Sequence, residues 1–385
     1  MIKVHTEQRI PVKLWLDDIE ESAMQQAKNL ANLPFAYKHI AIMPDAHTGY
    51  GMPIGGVLAA EGVVIPNAVG VDIGCGMQLG KLNISIPNRS TLYRIMEAVR
   101  ALIPVGRNHH DEPQAEALMP CSPVSDVIRP LYEPALKQLG TLGGGNHFIE
   151  FQKDADGGFY VMVHSGSRNL GYKVANHHNK IAKGLNKKWM SSVPKEYDLA
   201  FLPMGDPSLR DYMRDMLYCT AFARASRRRM MAQILNCVKQ ESPTAVYTEA
   251  FDVAHNYAAF EEHFGRKVIV HRKGAIAAHE GSIGIIPGTQ GSCSYIVRGK
   301  GNINSFCSAS HGAGRKMSRT RAKLDLDLST EQDQLDSIGV VHSVRNVSNL
   351  DEAPGAYKDI STVMANQADL VDIVTELTPL GTIKG

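Results

Sequence analysis

The chain has 385 residues, of which 44% are hydrophobic and 21% are charged, as is typical of a globular protein that can bury a sizeable core. Lys and Arg total 41 against 39 Asp and Glu, so the formal net charge is only +2, and any basic surface for nucleic acid must be local. The six cysteines include no CxxC pair, which argues against a disulfide framework. No signal-peptide core and no apolar run long enough to cross a membrane is evident. We therefore expect the reducing cytoplasm as the compartment and no membrane partner.

The first third of the chain mixes helical and strand-like patterns. Apolar spacing predicts a helix over residues 18–33 with Asp17 or Asp18 as its N-cap, and a second helix over residues 88–103 capped by Ser90. Strand-like runs separated by glycine and proline turns lie between the two helices, at residues 39–43, 56–60 and 62–65.

The rest of the chain continues this mixture. The longest predicted helix covers residues 207–238, and we interpret its arginines as a solvated face, with an RNA-facing patch as the alternative: Arg224, Arg227, Arg228 and Arg229. Strands are predicted at residues 159–164, 267–271, 283–297 and 338–344. Two histidine pairs are predicted to lie on the surface: His109 with His110, and His177 with His178. Helices and strands without strict βαβ alternation predict a mixed α/β (α+β) fold, with residues 1–385 as one large domain.

A dispersed set of metal-ligand side chains lies in glycine-rich or turn-like settings. Asp72 and Cys75 are three residues apart between glycines, and three histidines follow further along the chain: His147, His164 and His255. Carboxylate, imidazole and thiolate together suit Mn, Fe, Co or Zn better than Mg or Ca, and a thiolate can bridge two such ions. The alternative for any one of these residues is a small buried cysteine or a core histidine.

Glycine-rich segments also offer a phosphate site, although the two common nucleotide-binding signatures are absent. His311 is followed by Gly312, Ala313 and Gly314 and then by the cations Arg315, Lys316 and Arg319. Successive backbone N–H groups in such a loop can bind an anion, and the imidazole could attack phosphorus while the cations stabilise the developing charge. The alternative is a helix N-terminus with a basic first turn, which the helix dipole disfavours.

Eight segments in collinear order identify a family resemblance. They are residues 43–51, 70–76, 139–150, 164–171, 287–295, 310–319, 352–359 and 381–385. Together they resemble the RtcB family of GTP- and Mn-dependent ligases, which join RNA 3′-phosphate or 2′,3′-cyclic phosphate ends to 5′-hydroxyl ends. The resemblance runs nearly from end to end and implies a single mixed α/β domain with a deep active-site cleft.

The resemblance implies a role for each matching position. Cys75 would bridge two Mn ions, with His164 and His255 completing one site and Asp72 and His147 the other. His311 matches the histidine that becomes covalently guanylylated. Positions that hold guanosine or its phosphates correspond to Asn146, Phe148, Glu150, Thr289, Ser294, Tyr357 and Lys384, together with the 312–315 loop. Arg168 and Arg319 match positions suited to RNA phosphates, a contact that Asn146 could share.

The implied reaction has three steps. His311 displaces pyrophosphate from GTP, GMP then passes to the RNA 3′-phosphate, and the 5′-hydroxyl attacks that phosphorus as GMP leaves, in RNA repair or tRNA splicing. Whether an accessory activator takes part stays open. Gln290 stands where the family often has Met, and the stretch before His279 is less basic than in the family, so RNA contacts there are in doubt.

Two other functions compete with the ligase at this stage. A metal-dependent phosphoesterase could use the same Asp/Cys/His set without nucleotide transfer, and it would not need His311 as a nucleophile. A non-catalytic RNA-binding protein would use the glycine loops only to shape the backbone, and it would not need the thiolate of Cys75.

Overall fold

Helices and strands alternate irregularly in the computed structural model, which describes all residues from Met1 to Gly385. The α-helices are α1 (Glu21–Ala31), α2 (Pro66–Val69), α3 (Arg89–Leu102), α4 (Tyr132–Gln138), α5 (Arg168–Lys188), α6 (Pro207–Glu241), α7 (Arg319–Asp325), α8 (Leu328–Ser337) and α9 (Ile360–Asn366). None of them combines the length and the apolar character that crossing a membrane requires.

Seventeen strands accompany these helices, and the mixed α/β class is confirmed. They are β1 (Lys3–His5), β2 (Val12–Leu14), β3 (Ala36–His47), β4 (Ile54–Ala60), β5 (Val63–Val64), β6 (Gly76–Leu82), β7 (Phe148–Lys153), β8 (Phe159–Ser165), β9 (Leu202–Pro203), β10 (Tyr247–Ala254), β11 (Asn256–His263), β12 (Arg266–Lys273), β13 (Ala275–Ala277), β14 (Ile283–Ile286), β15 (Ser294–Gly299), β16 (Ser308–Ser310) and β17 (Val371–Lys384).

Two large sheets organise the molecule. One has seven antiparallel strands in the order β10-β6-β8-β7-β17-β15-β14. The other has six strands in the order β1-β2-β3-β4-β12-β11, in which only the β2–β3 pair is parallel. The chain passes directly from one sheet to the other at His255, the single residue between β10 and β11. Two-stranded pairs, β13-β16 and β5-β9, complete the β-structure.

The long helix α6 covers the seven-stranded sheet. It starts as its sequence predicts, because Pro207 occupies the first turn and the Asp206 side chain accepts a hydrogen bond from the Ser208 backbone N–H at 2.9 Å. Met230 and Ile234 of this helix pack into one buried cluster with apolar side chains of β7 and β8. Burial of that apolar surface fixes the helix against the strands that lead to the site.

Several predicted element boundaries are wrong. The first helix starts at Glu21 without a side-chain cap, and the second is capped by Asn88, whose side chain accepts from the Thr91 N–H, rather than by Ser90. The predicted 283–297 strand is split into β14 and β15 by the 287–293 loop. Residues 338–344 form no strand, and only Val341 makes an isolated bridge to Gly381. Val341 and Val344 are buried in two different apolar clusters while Ile338 is exposed, so the apolar composition of the segment misled the prediction.

Two surface predictions are also wrong. Arg227 is fully buried, although Arg224 and Arg228 are exposed as a solvated helix face requires. In the pair on α5, His178 is buried and donates from Nε2 to Asp215 at 2.8 Å, while His177 is exposed. His109 is exposed and His110 is half-buried. Neighbouring residues on a helix point in directions about 100° apart, so one member of a pair readily enters the core.

Candidate metal and nucleotide site

The predicted metal ligands meet at one edge of the seven-stranded sheet. Cys75 and His147 directly precede β6 and β7, while His164 lies at the end of β8 and His255 directly follows β10. Because β10, β6, β8 and β7 are consecutive antiparallel neighbours, the start of each strand lies beside the end of the next. Residues up to 180 positions apart in the sequence are therefore placed side by side.

Glycine lets the Cys75 segment approach its neighbours. A Cβ on Gly76 would lie 2.4 Å from the Val253 carbonyl oxygen, and a Cβ on Gly74, whose φ is +71°, would lie 2.6 Å from the Cα of Thr220 on α6. The His255 N–H donates to the Cys75 carbonyl at 2.8 Å, which ties the two ligand segments together. Any side chain at either glycine would push the thiol away from the histidines.

The donor atoms face one another at short range. The Cys75 Sγ lies 3.3 Å from His164 Nε2 and 3.5 Å from His147 Nε2, and the ligand atoms of these three buried residues all lie within 4.8 Å of one another. Asp72 borders the group, with Oδ2 3.1 Å from His147 Nε2. The His255 ring centroid is 5.1 Å from that of His164. The structure thus brings all five predicted ligands together.

Protonation of these groups favours metal binding through the imidazoles. His164 donates from Nδ1 to the Asn146 carbonyl at 3.0 Å, so the neutral ring presents its Nε2 lone pair toward Cys75. Burial holds the pKa of His164 and of His255 well below the usual range, with neighbouring histidines adding to the effect. Burial, then the nearby Asp72 carboxylate, raises the pKa of the Cys75 thiol, so a thiolate there calls for a cation beside it.

The donor set itself fits a transition metal. The buried Nδ1 atoms of His147 and His255 have no hydrogen-bond partner, and thiol, imidazole and carboxylate face the same small volume. Three imidazoles, one thiolate and one carboxylate form a ligand set that Mn, Fe, Co or Zn accepts. The residues present therefore fit the predicted ions.

His311 lies beside this group and is held by a carboxylate that the sequence analysis did not single out. Asp45, at the end of β3 and fully buried, accepts through Oδ2 from the His311 backbone N–H at 3.1 Å and from Nδ1 at 2.7 Å. Because a carboxylate only accepts, Nδ1 carries the proton, and in the neutral ring Nε2 then has the lone pair. The His311 ring centroid is 4.7 Å from that of His255.

The loop after His311 does not begin a helix. α7 starts at Arg319, and the intervening Gly312, Ala313 and Gly314 are buried. Gly314 has φ +73°, and a Cβ there would lie 2.2 Å from the Asp45 carbonyl oxygen. The helix-terminus alternative is therefore wrong for His311, and glycine is needed where the loop crosses β3.

A buried carboxylate, Glu352, gathers the predicted nucleotide-binding cations. Lys384 Nζ lies 2.7 Å from its Oε2, Arg315 Nη1 lies 3.3 Å from its Oε1, and the Tyr357 hydroxyl donates to Oε2. Arg319 Nε is 3.8 Å away and half exposed. Burial alone would raise the pKa of Glu352, but Lys384 and Tyr357 outweigh it and hold that pKa below its ordinary value.

The opposite wall of this region comes from paired strands β7 and β17. Lys384 pairs with Phe148 and Thr382 pairs with Glu150, and the Lys384 Nζ lies 5.5 Å from the Phe148 ring centroid. The Glu150 carboxylate accepts from the Thr382 hydroxyl at 2.7 Å and from Gln152. Burial raises the pKa of Glu150 to about 7, against the effect of these hydrogen bonds.

The loop between β14 and β15 reaches the same wall. Ser294 accepts from the Gln152 amide at 2.9 Å and from the Gly288 N–H at 3.1 Å, while the Thr289 hydroxyl contacts Ser292 at 2.9 Å. Gln290 is buried here and donates to the Glu352 carbonyl at 3.0 Å. The departure at Gln290 thus has a structural role, since it anchors the segment that carries Glu352.

The residues that were predicted to contact RNA lie in different surroundings. Arg168, with φ +57°, donates to the Gly106 carbonyl at 2.7 Å and to the Thr141 hydroxyl at 3.0 Å. Arg319 is half exposed beside Gly145, next to the exposed Asn146. Arg168 therefore shapes the loop around the site, whereas Arg319 and Asn146 face solvent.

Three functional candidates escaped the sequence analysis. Asp45 and Glu352 lie within segments that carried the resemblance, and a carboxylate directly after a buried strand-like run was the available signal for Asp45. Lys273 is buried at the end of β12, forms no ion pair, and donates to the carbonyls of Tyr50 and Asn67. Burial lowers its pKa to about 8. Nothing in the sequence around Lys273 indicated burial.

Comparison with known proteins gives a consistent result. A family model described as tRNA-splicing ligase RtcB matches residues 26–129 and 115–385. The RNA-splicing ligase RtcB of Escherichia coli K12 is 36% identical over 406 residues, covering 99% of this chain and 98% of that protein. The tRNA-splicing ligase RtcB of Aeropyrum pernix is 29% identical over 98% of this chain, and the RNA-splicing ligase RtcB of Mycobacterium tuberculosis is 30% identical over 94%.

Proposed function

This chain belongs to the RtcB family, and from that premise we propose that it is a GTP-dependent RNA ligase acting on 3′-phosphate or 2′,3′-cyclic phosphate ends and 5′-hydroxyl ends. One observation carries the proposal: His311 keeps a free Nε2 lone pair, fixed by Asp45, beside the buried Cys/His donor set. A metal-dependent phosphoesterase that attacks with a metal-activated water would not need such a nucleophile. RNA repair and tRNA splicing both fit this chemistry, and a cytoplasmic setting, which keeps Cys75 reduced, is part of the proposal.

His311 acts first in this mechanism. Its Nε2 attacks the α-phosphorus of GTP, an N–P bond forms, and the P–O bond to pyrophosphate breaks. The ring becomes positively charged as the bond forms, and the Asp45 carboxylate 2.7 Å from Nδ1 stabilises that charge without taking the proton. Asp45 is thus a positioning residue that sets both the tautomer and the direction of attack.

The five-ligand group would hold two Mn ions. Cys75 would help to hold both ions, His164 and His255 one of them, and Asp72 and His147 the other, as in the family assignment. When bound, such ions supply positive charge to phosphoryl oxygens and to the attacking hydroxyl. The protein's own contribution is to keep the imidazoles neutral by burial, as the depressed pKa of His164 and of His255 indicates.

The region between His311 and β17 would bind the nucleotide. Arg315 and the 312–314 loop N–H groups suit the phosphates, and the Phe148 face with the Glu150 carboxylate suits a planar base that has N–H donors. Thr289, Ser294, Tyr357 and Lys384 line the same region and would complete it. Support comes from continuity: Phe148 contacts His164 on one side and Lys384 on the other, and Lys384 leads through Glu352 to Arg315.

RNA enters in the second and third steps. The RNA 3′-phosphate attacks the His311-bound GMP, which frees the imidazole and leaves a diphosphate-linked end. The 5′-hydroxyl then attacks the 3′-phosphorus, and GMP departs as the leaving group that a phosphate monoester lacks. Arg319 and Asn146, which are both exposed, would contact RNA phosphates, and Arg168 would hold the loop next to them through its bond to the Gly106 carbonyl. Because β3 and β17 supply residues from opposite ends of the sequence, we propose that residues 1–385 act as one ligase domain.

One labelling experiment tests the proposal. Protein is incubated with α-labelled GTP and Mn²⁺, and the chain is examined for a label that is acid-labile and base-stable, as a phosphoramidate is. The label is expected in the wild type and in His279→Ala, which alters an exposed histidine outside the site, and it should be absent from His311→Ala. A labelled His311→Ala protein would refute the nucleophile, and an unlabelled wild type that still releases phosphate from RNA ends would favour the phosphoesterase.

A further inference from the structure

One fully buried side chain on α6, Arg227, connects the strand ends that carry the metal ligands. Its Nη1 donates to the Gly74 carbonyl at 3.0 Å and to the Ser165 carbonyl at 2.9 Å. Its Nε and Nη2 donate to the two carboxylate oxygens of Asp252 on β10, at 2.9 and 2.8 Å. Four hydrogen bonds from one planar guanidinium thus reach β8, β10 and the turn that precedes β6.

Each acceptor is adjacent in sequence to a predicted metal ligand or lies on the strand that leads to one. The Gly74 carbonyl belongs to the peptide bond that leads into Cys75, and Ser165 directly follows His164. Asp252 lies in β10, three residues before His255, which directly follows that strand. The guanidinium therefore fixes the ends of β10, β6 and β8 relative to one another, at the edge where their donor atoms converge.

We propose that Arg227 is a positioning residue for the metal centre, setting the spacing between the Cys75 thiol and the imidazoles of His164 and His255. This inference rests on the proposed function, since it concerns the ions that the ligase would bind. The guanidinium is a rigid planar fork, so its four bonds define directions as well as distances. Lysine keeps the charge, but its three donors on a flexible stem cannot reproduce that fork.

Stability alone gives a weaker account of this arrangement. A buried ion pair contributes little net stability compared with apolar side chains of similar volume, and the neighbouring residues of α6 already supply apolar packing. What apolar side chains could not supply is a set of donors for the Gly74 and Ser165 carbonyls at the ligand ends of two strands. Replacing a group that orients metal ligands without itself touching the metal typically lowers metal affinity by about 10- to 100-fold.

The chain offers a matched control in Arg272. It is also fully buried and also pairs with a carboxylate, Glu261, while donating to the Phe306 carbonyl and the Ser308 hydroxyl. Its fourth partner, the Tyr257 hydroxyl at 3.4 Å, is the nearest in sequence to a predicted metal ligand, and it is still two residues from His255. Arg272→Lys therefore carries the cost of disturbing a buried ion pair without altering the strand ends at the metal centre.

The test uses Co²⁺ as the probe, read through its visible bands and its near-ultraviolet thiolate-to-metal band, together with thermal melting. Arg227→Lys is expected to weaken Co²⁺ binding by about tenfold or more and to alter the thiolate band. Arg272→Lys should lower the melting temperature comparably and keep wild-type Co²⁺ affinity and spectrum. Wild-type Co²⁺ affinity and spectrum in Arg227→Lys, or an equal loss of Co²⁺ affinity in Arg272→Lys, would overturn the inference.

A second variant covers the case in which Arg227→Lys does not fold. Asp252→Asn leaves the guanidinium bonded to both carbonyls and removes only its charged partner, so a smaller loss of Co²⁺ affinity in the same direction is expected. Unchanged Co²⁺ binding in that variant would count against the positioning role. A wild-type protein that takes up no Co²⁺ would instead overturn the metal function itself, so the two failures are distinguishable.

Discussion

Replacing Asp45 by Asn separates the charge of this residue from its shape. The Oδ2 atom of Asp45 accepts from both the backbone N–H and the Nδ1–H of His311. In the variant, the amide oxygen should take the Oδ2 position, because the NH₂ group there would face two donors. His311 would therefore keep its tautomer, and only the charge opposite the developing imidazolium is lost.

The expected magnitude follows from that single change. A hydrogen bond to a charged acceptor contributes about 1 to 1.5 kcal/mol more than a neutral one. Since roughly 1.4 kcal/mol in the barrier is a factor of ten, guanylylation should slow by about tenfold in Asp45→Asn. Asp45→Ala removes the acceptor altogether and leaves the tautomer unfixed, so a loss on the order of a hundredfold or more is expected.

Single-turnover labelling with α-labelled GTP and Mn²⁺, at saturating GTP, measures this step directly. Melting curves for both variants establish that the fold is retained. If Asp45→Asn reacts at the wild-type rate, the carboxylate charge plays no part in the reaction. If Asp45→Asn is as slow as Asp45→Ala, the backbone N–H does not hold the amide in place, and the argument from geometry fails.

Three further predictions follow from the site. Lys384→Met removes the cation 2.7 Å from Glu352, and it should weaken GTP binding and slow guanylylation while leaving Co²⁺ binding unchanged. A GTP titration of this variant that matches the wild type would contradict the prediction. Cys75→Ala should bind fewer Co²⁺ ions per chain by metal analysis, and full occupancy in that variant would refute the bridging thiolate. Because burial raises the pKa of Cys75, binding must release the thiol proton, so Co²⁺ affinity should rise with pH by up to about tenfold per unit below that pKa. Cys75→Ala should lose this pH dependence as measured by titration at several pH values, and a slope that persists would assign the released proton to another group.

Periodicity predicted the long elements well because they depend on many residues at once. α6 is found where its proline start and apolar spacing place it, and the runs at residues 159–164 and 267–271 are strands. The pairing of strands into sheets was not predictable from local pattern, since β10 and β6 are joined across more than 160 residues. Only that long-range register brings Cys75 and His255 together.

Buried polar residues were the main source of error. Arg227 and His178 lie on helices that also carry exposed charged residues, and their carboxylate partners, Asp252 and Asp215, lie on other elements. Composition treats each as a surface residue because it cannot show a partner. Asp45 was overlooked for the same reason: its role depends on His311, which is 266 residues away.

The position of His255 between β10 and β11 has a mechanical consequence. Between β10 and β11 the backbone passes from one large sheet to the other with His255 as the only linking residue. A movement of one sheet relative to the other must therefore displace the His255 imidazole relative to Cys75 and His164. An ion coordinated by Cys75, His164 and His255 would hold the two sheets in a fixed relative position. Metal loading should therefore suppress amide hydrogen exchange in β11 and β12, which carry none of the metal ligands, as well as in β6 and β8.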